Sequence, residues 1–296
     1  MNSLDLLRSL YAMAAVVEAR DPYTGGHCWR VAQLSELVAI EMDLDERTRL
    51  RIGLAGFLHD LGKVGVPDAI LNKTGKLTDE EYDVIKTHPS IAAEVLKHHP
   101  LGGLAINGAL AHHERPDGLG YPNGLTETQI HLDASIISVT DAFDAMTSHR
   151  PYRNGMGADK AISILQENSG SQFNSDVVEH FCAIDRHNID AIVLHSDHHT
   201  PLQNCPNCGP VVVVYKEMEQ GDKTCCRNCG GEFSLLIELG VRSLKPTGGV
   251  ASPKQLQPTA DHELISRLAH RALPLLKKEV TWWQKIVGTA GSSKRS

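Results

Sequence analysis

His59-Asp60-Leu61-Gly62-Lys63 is the stretch on which the reading of the fold turns. It closes the apolar run Leu50, Ile52, Leu54, Phe57, Leu58 and Leu61, whose spacing predicts an amphipathic helix with His59 and Asp60 carried inward. Adjacent residues on a helix point about 100° apart, so His59 and Asp60 can serve one ion while Asp60 leans across to a second. Working outward, His27 lies upstream, and His88, the pair His112-His113 and Asp141 follow downstream. Imidazoles and carboxylates suit a divalent transition metal, and this set is too large for one coordination shell. Two ions bridged by Asp60 would use every member. Paired ions activate a water and stabilise the attacking and leaving oxygens of a phosphate ester, so the pattern reads as two-metal phosphohydrolase chemistry.

The elements around these residues read as helices. Val31, Leu34, Leu37, Val38 and Ile40 recur at helical spacing after His27. Thr78-Asp79-Glu80-Glu81 is a capping box opening a helix towards His88. Ile106–His113 and Ile136–Met146 supply two further apolar runs, and Arg115–Asn123, rich in Gly and Pro, must be a loop. The expected fold is mainly α, a multi-helix bundle whose separate helices bring ligands to one pocket.

The run His112-His113-Glu114-Arg115-Pro116-Asp117-Gly118-Leu119-Gly120-Tyr121-Pro122, downstream of the His-Asp-x-Gly-Lys motif, resembles the HD-GYP family of cyclic dinucleotide phosphodiesterases. The likeness covers about the first 185 residues and is an ordered set, far more specific than a lone His-Asp pair. It includes Asp21-Pro22-Tyr23-Thr24, Val66-Pro67-Asp68, Gly75-Lys76-Leu77-Thr78, Asp141-Ala142-Phe143-Asp144-Ala145-Met146, Arg150-Pro151-Tyr152-Arg153 and Gly170-Ser171-Gln172-Phe173. It implies that His27, His59, Asp60 and Asp141 bind one ion, and Asp60, His88, His112 and His113 the other. Iron or manganese is the expected pair. Lys63 would contact the scissile phosphate and assist the leaving oxygen, while Asp144, Arg150 and Arg153 would hold the guanine and phosphate groups of cyclic di-GMP. The Gly120-Tyr121-Pro122 loop would contact diguanylate cyclase domains. Tyr23 stands where some members carry a glutamate for a third metal, which favours two ions. Pro116, His131, Ser135 and Asn174-Ser175 depart from the usual residues, and none removes a ligand.

The resemblance implies hydrolysis of cyclic di-GMP to pGpG, with GMP as a further product, in signal transduction. The rival readings are a catalytically weak dinucleotide sensor or scaffold, and a hydrolase of another cyclic dinucleotide or nucleotide. A net charge of −7 over 296 residues argues against a general nucleic-acid binder. A small anionic ligand needs only a local cationic cluster. Asp5 and Arg8 interrupt the apolar N-terminal stretch, so it does not read as a signal peptide. The expected location is cytoplasmic.

Composition changes near His195. Cys205-Pro206-Asn207-Cys208-Gly209 and Cys226-Arg227-Asn228-Cys229-Gly230 are two Cys-x-x-Cys-Gly knuckles, flanking the strand candidate Val211–Tyr215. They read as a zinc ribbon in which Cys205, Cys208, Cys226 and Cys229 close a structural four-thiolate shell, with Cys225 left over. The expected division is a helical phosphohydrolase domain at 1–195, the ribbon at 196–240, a flexible linker at 241–261 and an amphipathic helix with tail at 262–296. That helix is expected to dock on its own domain or on a second copy in a homodimer, rather than lie peripherally on a membrane.

Overall fold

The computed structural model describes residues 3–20, 25–73, 75–148, 155–198, 200–209, 211–257 and 260–276. Helices α1 (Ser3–Glu18), α2 (His27–Glu41) and α3 (Glu46–Leu58) pack on one another. α2 is buried around nearly its whole circumference, which places it at the centre of the bundle rather than on its surface. Asp45 caps α3 by accepting from the Thr48 amide at 3.0 Å. The helix stops at Leu58, and a 3-10 turn over Leu61–Gly65 then carries Lys63.

After α4 (Asp68–Leu71) comes α5 (Asp79–Ile85), opened by the Thr78–Glu81 capping box that the sequence predicts. α6 (His88–Lys97) then lies against the turn that follows Asp60. A Cβ on Gly62 would stand 1.8 Å from the His88 carbonyl oxygen and 2.5 Å from the Ala92 nitrogen. Only glycine permits that approach, which is the physical reason for a glycine in the motif. α7 (Ile106–Ala111) and α8 (Leu132–Thr147) form the opposite wall, with the expected loop between them. α9 (Ala158–Glu167), α10 (Ser175–Ala183) and α11 (Arg186–Asp190) close the bundle, Phe143 meeting Phe181 at 4.8 Å between ring centroids. Two of the departures from the family pattern serve as caps. His131 Nδ1 accepts from the Asp133 amide in the first turn of α8, and Asn174 Oδ1 accepts from the Val177 amide in the first turn of α10.

The C-terminal part is a set of short antiparallel strands. β1 (His195–Asp197) pairs with β2 (Thr200–Pro201), and β3 (Gln203–Asn204) with β4 (Val211–Val212). β5 (Lys223–Cys225), β6 (Gly231–Glu238) and β7 (Val241–Val250) make a three-stranded sheet in that order. Its small core is Cys205, Val212, Cys226 and Phe233 with Leu244 against it. The strand expected over Val211–Tyr215 is only its first two residues.

β7 corrects the expectation of a flexible linker beginning at 241. Leu244 pairs with Leu235 and Pro246 with Phe233. Pro246, Gly248 and Gly249 disguise the strand in sequence, yet an edge strand tolerates a residue without an amide hydrogen. The three-stranded sheet therefore runs on to residue 250.

α12 (His262–Arg271) packs on α1, with its Ile265, Leu268 and Ala269, and Leu275 of the 3-10 turn that follows, buried in the same core as α1–α3. Arg8 donates to Ser266 Oγ at 3.2 Å, Arg271 pairs with Glu36, and Arg267 joins Asp197 to Glu217. Docking on its own domain is the outcome for this helix. It stops before Pro274, short of the expected extent, and the remaining positions, Trp283 and Ile286 among them, lie outside the described residues. Because Leu268 is buried, Leu268→Ala is expected to cost about 2–5 kcal/mol in urea unfolding. An unchanged midpoint would mean that α12 contributes nothing to the core. Among the described residues, no helix is long and apolar enough to cross a membrane.

Candidate metal centre

The helix ends converge on one point. His27 opens α2, His59 follows α3, His88 opens α6, His112 follows α7, and Asp141 projects from α8. Two trios of ligand atoms gather, His27, His59 and Asp141 in one, and His88, His112 and His113 in the other. His27 Nε2 lies 3.3 Å from His59 Nε2 and 3.4 Å from Asp141 Oδ1, while His88 Nε2 lies 3.2 Å from His112 Nε2. Asp60 stands between the trios. Its Oδ2 is 3.5 Å from the Nε2 atoms of both His27 and His59, and its Oδ1 is 3.5 Å from His88 Nε2.

The opposite ring nitrogens explain why the Nε2 atoms turn inward. His59, His88 and His112 each place Nδ1 on the carbonyl three residues earlier, those of Gly56, Ile85 and Ala109, at 2.7, 2.8 and 2.9 Å. A carbonyl only accepts, so Nδ1 carries the hydrogen and the Nε2 lone pair faces the centre, the arrangement a metal-binding imidazole needs. His27 Nδ1 instead faces Asp144 Oδ2 at 2.7 Å. Burial depresses His88, His112 and His113, the last to about 4, so these rings are neutral and able to ligate at pH 7. At His27 burial acts in the same direction, but hydrogen bonds with Asp144 and Asp60 outweigh it and raise the pKa to about 10. Burial alone would raise Asp60, and Lys63 and His59 hold it well below the usual carboxylate range. A carboxylate kept charged among inward-facing imidazoles fits two divalent cations.

Lys63 Nζ donates to Asp60 Oδ2 at 2.6 Å, so its ammonium rests on the central carboxylate. Asp144 is a correction. It is expected at the substrate, yet it is 1% exposed, with both oxygens engaged by His27 and Arg30 behind the centre. Arg150, Arg153 and Tyr23 lie outside the described residues.

The Gly120-Tyr121-Pro122 loop packs directly on the centre. Tyr121 stacks on His113 with centroids 4.7 Å apart, and Leu119 is 76% exposed at the loop tip. A Cβ on Gly120 would stand 2.5 Å from Glu114 Cα, so glycine lets the loop close. The buried Glu114 carboxylate accepts from the Asn123 and Leu125 amides at 2.7 and 2.9 Å and anchors the far side. A cavity of about 240 Å³ lies elsewhere, between α1, α12 and the ribbon, with Trp29, Tyr215 and Arg227 in its wall.

Sequence reasoning missed Arg30, which donates to both oxygens of Asp144. The available signal was an arginine between Trp29 and Val31, one helical turn after His27 in a helix rich in apolar residues, since a buried charge requires a partner.

In the ribbon, Cys205 Sγ lies 3.7 Å from Cys229 Sγ, and Cys208 Sγ 3.6 Å from Cys226 Sγ. A tetrahedron with metal–sulfur bonds of about 2.3 Å has edges of about 3.8 Å. Cys225 points away and donates to the Gln255 carbonyl. Cys205→Ser combined with Cys208→Ser is expected to release one ion and melt the strands around it, because so small a core depends on its metal. Metal analysis with circular dichroism reads both effects. An unaltered metal count would remove the structural-ion reading.

The helices thus converge imidazoles and carboxylates on two adjoining groups, each of which could hold a cation. The chain belongs to the HD domain family, whose pattern matches residues 12–177. It is 39% identical over 197 residues to the cyclic di-GMP phosphodiesterase of Thermotoga maritima, covering 66% of this chain and 54% of that protein. It is 42% identical over 171 residues to the cyclic di-GMP phosphodiesterase PA4108 of Pseudomonas aeruginosa, covering 57% of this chain and 41% of that protein. It is likewise 42% identical over 158 residues to 3'3'-cGAMP-specific phosphodiesterase 3 of Vibrio cholerae, covering 53% and 34%. The chain thus spans about half or less of the length of these relatives. The resemblance to the HD-GYP branch read from the sequence agrees with them.

Proposed function

We propose that this chain is a metal-dependent phosphodiesterase that opens the 3′,5′-phosphodiester of cyclic di-GMP to linear pGpG, with GMP as a further product. The observation that carries the reading is Asp60, which offers one oxygen to each of two inward-facing ligand trios. His27, His59 and Asp141 would hold one ion with Asp60, and His88, His112 and His113 the other. Iron or manganese is proposed there, and zinc in the ribbon. Two such ions supply an activated nucleophile and charge stabilisation for phosphoryl oxygens. Lys63, partly exposed beside Asp60, brings a mobile cation to the leaving oxygen, and Tyr121 walls the centre on the His113 side. Arg150 and Arg153 would grip the dinucleotide's phosphates, a task suited to a planar guanidinium.

The exposed Leu119 tip suits a contact with another protein, for which a diguanylate cyclase domain is proposed. The helical body is proposed as residues 1–195 together with α12, and the ribbon as 196–250. A cytoplasmic setting agrees with seven cysteines, none of which is disulfide-bonded. A second reading, hydrolysis of 3'3'-cGAMP, has its own support in the 42% identity to a protein named for that activity. The test is chromatography of products after anaerobic loading with iron or manganese and incubation with cyclic di-GMP, 3'3'-cGAMP and cyclic di-AMP. The proposal expects pGpG to form fastest. Faster opening of 3'3'-cGAMP would replace it with the second reading.

A further inference from the structure

Arg30 stands three residues after His27, on the same side of α2, and is 1% exposed. Its Nε donates to Asp144 Oδ1 at 2.5 Å, and its Nη2 reaches Asp144 Oδ2 at 3.1 Å and Ser148 Oγ at 3.2 Å. Nη1 donates to the Gly25 and His195 carbonyls, each at 2.9 Å. All three guanidinium nitrogens are therefore engaged, and Asp144 Oδ2 is the atom that faces His27 Nδ1. The other anchored rings need no such device. His59, His88 and His112 lean on the carbonyl one helical turn back, whereas His27 leans on the carboxylate of another helix. A carboxylate can rotate or take a proton, and a bidentate arginine forbids both, since the fork fixes its plane and stays charged.

We propose that Arg30 is a positioning residue for the candidate metal centre: it clamps Asp144, which sets the His27 ring with Nε2 towards Asp60 and Asp141. The same guanidinium ties this support to the turn before α2 and to β1, so the entry to the ribbon is registered against the centre. The inference rests on the reading of His27 as a ligand. It is distinct from the substrate role that resemblance gives Asp144.

The test is metal stoichiometry and affinity on the full chain, by elemental analysis after loading with Mn²⁺ and by Mn²⁺ titration. Wild type, Arg30→Met, Arg30→Lys and His27→Ala are compared. Wild type is expected to hold two ions in addition to that of the ribbon. Arg30→Met should weaken one of the two by about 10–100-fold, the usual effect of removing a ligand's hydrogen-bonded support, and leave the ion at His88, His112 and His113 unchanged. Arg30→Lys, which keeps the charge but loses the fork, should recover part of that affinity; a general packing defect would affect both ions alike. Wild-type affinity at both positions in folded Arg30→Met overturns the inference. If that variant loses its helical circular dichroism, Arg30→Lys and Asp144→Asn decide by the same criterion. If wild type holds fewer than two ions, the reading of the centre itself fails, and His27→Ala matching wild type would show the same.

Discussion

Asp60→Ala is expected to empty both ion positions together and to leave no measurable hydrolysis. The two oxygens of this carboxylate face different trios, Oδ2 towards His27 and His59 and Oδ1 towards His88, each at 3.5 Å. Alanine removes one ligand from each proposed coordination shell and the carboxylate that stands between them. It also removes the Asp60 carboxylate that now offsets the Lys63 charge, which further disfavours a cation there. His88→Ala, by contrast, removes a ligand from one trio alone. Elemental analysis separates the two cases, with the ribbon's ion as an internal reference. Two ions retained by Asp60→Ala would refute the bridge.

Lys63→Ala is expected to lower kcat by about 10²–10³-fold, the range seen when one donor to a developing oxyanion is removed. The ammonium now rests on Asp60 Oδ2 at 2.6 Å, the oxygen proposed to face an ion. Deleting it frees that oxygen, so metal content should remain intact. Cyclic di-GMP binding should weaken far less than turnover, because the ions and the proposed arginine contacts remain. Rapid-quench kinetics together with calorimetric binding distinguish these effects. Equal binding by wild type and variant, with turnover by neither, would make the protein a sensor.

The convergence of the proposed ligands was legible because metal binding restricts residue type, and because helix ends are readable from apolar spacing and caps. His59 and Asp60 at the end of α3 are the plainest case, and Thr78 as a cap is another. What escaped depends on contacts between distant segments. Asp144 carries the same carboxyl group whether it faces substrate or backs His27, and only the packing of α8 on α2 decides. Arg30 acquires its role from Asp144 and His195, 114 and 165 positions away. β7 was hidden because Pro246 and the following glycines suit an edge strand as well as a linker. α12 showed its apolar stripe in sequence, but its partner, α1, could not be chosen from periodicity.

A two-ion phosphodiesterase is tested by titrating Mn²⁺ into chelator-treated protein while recording pGpG formed from cyclic di-GMP. Negligible product is expected until the first position fills, then turnover that rises with the second equivalent and reaches a plateau at two. Bound cyclic di-GMP with no pGpG at any metal loading would contradict it.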